Sequence, residues 1–261
     1  MRQFDVFVFD EPGEDFDRWA PPFTDPALGW FHTNRWNGDL EKLEAEWIIF
    51  AHPSIKIDRD FLNELAIETD SFPMVDAFAP RVKARDHFFG GLAVDGSRGF
   101  SPIGEEEELR YVAAPIPLIG VFSRRIIQRT GLFDLTLPKE FRLMDYSLRM
   151  AHAGGKMFSV PYLVAHANEN DLGEATGTSN DLFKVIDGEF LKAESSVHPL
   201  WNVLYTTLPV SNLMKFTACH PTTVLDFFKT RELKIKRDKA TALSKLTEKH
   251  LRDISAKRKS R

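Results

Sequence analysis

The sequence predicts an α/β fold: a mostly parallel sheet flanked by helices, followed by a basic helical tail. Three observations carry this. Short apolar runs rich in β-formers end in clusters of turn residues; stretches with helical spacing lie between them; and strand and helix signals alternate from the N-terminus onward, as in a layered α/β sheet. With 261 residues, 43% hydrophobic and 28% charged, the chain can bury a sizeable core, and its composition excludes wholesale disorder.

The first run, FDVFVF at 4–9, reads as a strand stopped by the turn-forming, acidic stretch 10–15. Residues 15–37 are dense in Pro and Trp and show no period. Residues 39–46 read as a short helix leading into a second strand, WIIFA at 47–51. Residues 58–68 place Phe61, Leu62 and Leu65 on one helical face, with Asp58 or Asp60 as N-cap. A third strand is expected over 73–82. Residues 84–112, with Gly90, Gly91, Gly96, Gly99 and Gly104, read as an insertion of loops and short strands. Beyond Gly120 come a strand, a short helix over 125–130 stopped by Gly131, a helix over 141–153 ending at Gly154 and Gly155, and a strand over 156–164. No internal repeat is visible. The expected organisation is a main domain over 1–210 and a basic extension over 211–261.

Charge is unevenly distributed. Residues 229–261 hold 13 Lys or Arg against four Asp or Glu, so this tail carries +9 of a chain whose net charge is −4, leaving −13 on residues 1–228. A solvated helix is the plainer account of the tail; peripheral contact with an anionic membrane or another acidic partner is the sharper one. It lacks the interleaved aromatics of a nucleic-acid stacking platform, so nucleic acid is not an expected partner. No apolar run reaches the length of a membrane span, and the first residues do not have the pattern of a secretory leader. The single cysteine, Cys219, rules out an intrachain disulfide and agrees with a cytoplasmic setting.

Taken in order, several pieces of residues 4–168 resemble one family. An acidic loop follows a strand; an apolar strand ends in a polar corner, His52-Pro53-Ser54; Asp58-Arg-Asp-Phe-Leu62 follows. Then come Gly120-Val-Phe-Ser-Arg-Arg125, Gly131-Leu-Phe-Asp134 and Met144-Asp-Tyr-Ser-Leu-Arg149 with Ala153-Gly-Gly155. This succession resembles the GT-A nucleotide-sugar transferases of glycosyltransferase family 2. The resemblance implies a GT-A, Rossmann-like sheet, here either without its first βα unit or with that region rearranged. It implies transfer of a sugar, with inversion, from a nucleotide-sugar donor to a glycan or lipid-linked acceptor. The alternative is a catalytically inactive GT-A-like domain that binds carbohydrate or a partner protein.

The resemblance also assigns roles. Asp10, with Glu11 beside it, falls where the family contacts the nucleotide base and ribose, though a turn-forming Asp is the plainer account. His52 and Ser54 stand where the family has an Asp-x-Asp element that holds Mn²⁺ or Mg²⁺ against the donor diphosphate. Without those carboxylates three readings stay open: His52 as a lone ligand or direct phosphate donor, with Arg81, Arg124 or Arg125 neutralising charge; an inactive site; or a strand-end histidine bonded to its own backbone. Asp145 falls where the family has a general base, in competition with an N-cap role. Gly120 matches a small residue beneath a sugar, and Phe133-Asp134 a packed turn. His166 matches a histidine that in some members reaches metal or diphosphate and could pair with His52. Residues 168–180 suit a lid or a plain surface loop.

Overall fold

The computed structural model describes residues 3–9, 21–33, 36–38, 40–84, 87–95, 99–103, 109–137, 139–167 and 217–218. Asp10, Glu11, the expected lid at 168–180 and all but two residues of the expected tail lie outside the described residues.

Among these, β1 (Phe4–Phe9) and β3 (Trp47–Ala51) are buried along their whole length. Both match the apolar runs in the sequence, because a strand covered on both faces needs no polar alternation. The strand order of the main sheet is β2 (Leu28–Thr33), β1, β3, β10 (Ile119–Ser123), β5 (Ala77–Ala84), β11 (Met157–Ala167) and β4 (Ile55–Lys56). Of the six longer strands, five run the same way, and β10 enters antiparallel to both its neighbours. The short β6 (His87–Phe89) and β9 (Arg110–Tyr111) add to β5 and β11. β7 (Leu92–Asp95) and β8 (Gly99–Pro102) form a separate hairpin within the expected insertion.

The sheet carries an apolar core on each side. Val6, Val8, Ile49, Ala51, Phe78 and Val121 lie on one face; Phe7, Phe9, Ile48, Phe50, Ala77 and Phe122 lie on the other. Successive side chains point to opposite faces, so each strand feeds both cores.

The helix at 58–68 is α1 (Arg59–Ser71), with Asp58 as its N-cap accepting the Phe61 amide. α2 (Arg124–Thr130) is capped by Ser123 and closed by Gly131 at φ 85°, a left-handed conformation that suits glycine. α3 (Lys139–His152) follows, and Gly154 at φ 82° turns the chain into β11.

Three expectations change. β2 lies in the segment that showed no period. The helix expected over 39–46 is only a 3-10 turn, Leu40–Lys42. The reason is Asp5, fully buried on β1: its Oδ2 accepts the amides of Glu44 and Ala45 at 2.6 and 2.9 Å, diverting donors that a helix needs. Finally, Asp145 is not an N-cap, because α3 begins at Lys139.

Candidate functional site

β1 connects outward to β2 on one side, and the chain then returns to β3 on the other. The carboxyl ends of β1 and β3 therefore border a topological switch point, where open α/β sheets bind ligands. Phe9 ends β1 there, and His52 follows β3 directly, its amide bonded to Leu118 O at 2.7 Å.

The corner is tightly wired. His52 Nδ1 lies 2.7 Å from Ser54 Oγ and accepts the Ser54 amide at 3.2 Å, while Ser54 is fully buried. Because a backbone amide can only donate, Nδ1 is an acceptor, and the ring proton belongs on Nε2. The imidazole also meets the Phe9 ring edge-on at 6.0 Å. Phe9 packs on Trp36 at 4.4 Å, Trp36 on Phe133 at 5.0 Å, and the Arg142 guanidinium lies 5.1 Å from the Trp36 ring centre. Asn37 clamps the turn, its side chain exchanging two 2.9 Å bonds with the backbone of Phe133. Trp36 and Arg142 were not singled out from the sequence; a tryptophan in a Pro-rich segment was the available signal for the first, and nothing local marked the second.

The other expected residues are placed as follows. Asp145 lies inside α3, one turn beyond Arg142, with 3% of its surface exposed and Oδ2 accepting Arg149 Nε at 2.7 Å. The α3 residues that reach the aromatic group beside His52 are Arg142, against Trp36, and Tyr146, against Phe133. Gly120 is buried in β10, but a side chain there would strike Phe122 and Pro115, at 2.8 and 3.0 Å from the β-carbon position. Protein, not open space, adjoins it. Phe133 is buried between Phe50 and Tyr146, and Asp134 Oδ1 accepts both the amide and the hydroxyl of Thr136, closing the turn before α3.

His166 is exposed on β11, opposite Lys56 of β4. Its charge bears on Asp58. Burial acts to raise the Asp58 pKa, but the Phe61 amide and the Lys56 ammonium outweigh it, with His166 adding, so the carboxyl is held below its ordinary value. His52 and His166 thus have different neighbours.

Of the three arginines considered, two occupy the opposite edge of the sheet. Arg124 donates to Glu44 O at 2.9 Å, and Arg125 pairs with the buried Asp76 at 2.6 Å, both beside the start of β3. Arg81, on β5, lies toward the carboxyl edge.

No protein-family model and no curated protein matches the sequence. Solved structures do match. GalNAc-T7, crystallised with UDP, GalNAc and Mn²⁺, aligns with a TM-score of 0.56 at 12% identity over 91% of this chain. This chain spans 54%, about half, of that protein. The chain has a GT-A-like α/β fold. Lower-scoring matches include the mannosyltransferase PcManGT from Pyrobaculum calidifontis in complex with GDP-Man and Mn²⁺, and S. aureus TarS 1-349. Their TM-scores are 0.39 and 0.42 at 11% and 12% identity; they cover 93% and 98% of this chain and 84% and 93% of their own.

A divalent cation bound as in the resembled family would require carboxylate oxygens or an imidazole lone pair at this corner. The described residues do not fit it. No group of three His, Cys, Asp or Glu side chains among them could hold a metal ion. Moreover, a metal-bound histidine donates through its second nitrogen, whereas Nδ1 of His52 accepts and Nε2 carries the proton. That tautomer is suited to donate to a phosphate oxygen. Among the described residues, no helix is long and apolar enough to cross a membrane.

Proposed function

We propose that the chain is a nucleotide-sugar glycosyltransferase domain in which His52 contacts the donor diphosphate directly, as a hydrogen-bond donor through Nε2. The observation that carries this reading is the Ser54 amide bond to Nδ1, which leaves the ring proton on the other nitrogen at the switch point between β1 and β3. Neutralising a leaving diphosphate then falls to protein cations. The acceptor is a glycan or lipid-linked sugar, and the transfer inverts. Asp145 serves as base for the attacking hydroxyl once Arg149 moves aside, since an alcohol needs its proton taken in the transition state.

The second reading, a catalytically silent GT-A-like domain that binds carbohydrate or a partner protein, is favoured by the same Asp145–Arg149 ion pair, which occupies the carboxylate. Calorimetry with UDP and GDP, with and without Mn²⁺, separates the two. The transferase reading expects binding that is indifferent to Mn²⁺ and is weakened about tenfold or more by His52→Ala, the loss of one charge-assisted hydrogen bond. Binding that requires Mn²⁺ would refute direct contact by His52. Absence of binding to either nucleotide would leave the silent domain.

A further inference from the structure

Arg81 is a buried cation with no counter-charge beside it among the described residues. It is 7% exposed, Nη1 donates to Pro161 O at 3.3 Å, and Nε is buried without a hydrogen-bond partner. Its guanidinium lies 4.5 Å from the centre of the Phe88 ring, which Lys83 Nζ approaches at 5.6 Å, so two cations lie against one aromatic ring. Among the described residues no carboxylate pairs with either. Burying an unpaired charge is costly, and such a residue is ordinarily matched by an anion.

Its surroundings are built rather than accidental. Pro80 lacks an amide proton, and beside it β11 slips register between Val160 and Val164. The bulge turns the Pro161 carbonyl onto Arg81. Gly90 lets the backbone approach Ser159 and Arg81 closely: a β-carbon there would lie 3.0 Å from Ser159 Oγ and 3.7 Å from Arg81 Cγ.

The position matters as well. β5 pairs with β10 only at Ala77 and Phe78, and from Val82 the same edge of β5 pairs with β6, so Arg81 sits where β5 passes from β10 to β6, on the carboxyl side of its pairing with β10. Alternation with Ala77 and Ala79 puts Arg81 on the face that Ile48 and Phe50 define for His52.

We propose that Arg81 is the cation of an anion site for a pyrophosphate group, that of a nucleoside diphosphate, with the Ser159 hydroxyl as a neutral partner. In that role it would replace a metal that the described residues of the corner do not fit, and the proposal rests on the donor-binding reading above.

The test uses the full chain, with inorganic pyrophosphate and UDP or GDP as probes and thermal unfolding and calorimetry as readouts. Pyrophosphate is expected to raise the wild-type Tm. Arg81→Met should weaken pyrophosphate and nucleotide binding about tenfold or more, while its ligand-free Tm stays level or rises because an uncompensated charge is gone. Arg81→Lys, which keeps the charge without the planar fork, should bind more weakly than wild type and more tightly than Arg81→Met. Pyrophosphate binding without nucleotide binding would support the anion site while sinking the transferase reading. Nucleotide binding unchanged in Arg81→Met would do the reverse. Failure of wild type to bind pyrophosphate, or a lower Tm in Arg81→Met with unaltered binding, would overturn the proposal.

Discussion

Asp145→Asn separates a structural carboxylate from an available one. The Asp145 side chain is 4% exposed and that of Arg149 22%, with 2.7 Å between Oδ2 and Nε. Two unit charges about 4 Å apart attract by about 4 kcal/mol at an effective dielectric near 20, before desolvation is counted. Removing one partner of a fully buried pair costs about 3–5 kcal/mol, because the other charge stays buried alone. Arg149 is in poor condition to be left alone. Its Nη2 is already buried without a partner, and Nη1 reaches Thr130 O only at 3.4 Å. Its partial exposure lowers the expected loss to about 2–3 kcal/mol, a fall in Tm of roughly 4–12 °C for a domain of this size. Urea unfolding followed by circular dichroism at neutral pH measures it. The double variant Asp145→Asn/Arg149→Met should recover more than half of the loss, as contacting residues couple. A single-variant loss below about 0.5 kcal/mol, the level of an ordinary surface change, would refute the ion-pair reasoning. The carboxylate would then be free to act on an acceptor.

Two further outcomes follow from the geometry. Asp58→Ala should cost about 1 kcal/mol by removing the cap of α1. The folded Asp58 pKa lies below the ordinary aspartate value, so its contribution is present at neutral pH and disappears as pH falls through the lowered value. A Tm series from about pH 6 to about pH 2.5 should therefore show a shallower acid limb in the variant. Tyr146→Phe should leave stability unchanged or raise it by about 1 kcal/mol: the ring stays packed against Phe122 and Phe133, while the lost hydroxyl is buried beside the Thr130 hydroxyl without a well-formed hydrogen bond to it, and burial already drives its pKa far up. A loss of more than about 1 kcal/mol in denaturant unfolding would reveal a partner for that hydroxyl.

The legible parts of this chain were those whose signal is local. FDVFVF and WIIFA match β1 and β3 residue for residue, because strands buried on both faces must be continuously apolar. Asp58 before a run of helical spacing, and Gly131 after one, marked helix ends through groups a few bonds away. Where a distant residue competes for backbone donors, the same reasoning misled: the turn Leu40–Lys42 does not continue as a helix because Asp5, some forty positions earlier, holds the amides of Glu44 and Ala45 that follow it. β2 was hidden among Pro and Trp because its half-buried edge position imposes only a weak pattern.

The candidate site divides along the same line. The sequence by itself determined that an apolar strand would deliver His52 and Ser54 to a polar corner, and that carboxylates would be missing there, since residue identity and strand periodicity are properties of the local chain. Only the tertiary structure decided which nitrogen of His52 carries the proton, that Trp36 and Arg142 stand beside it, that Asp145 is paired with Arg149, and that Arg81 rather than Arg124 or Arg125 lies at the carboxyl edge. Those outcomes depend on contacts between residues far apart in the chain, and such contacts exist only once β1, β3, β5 and α3 have packed into one body.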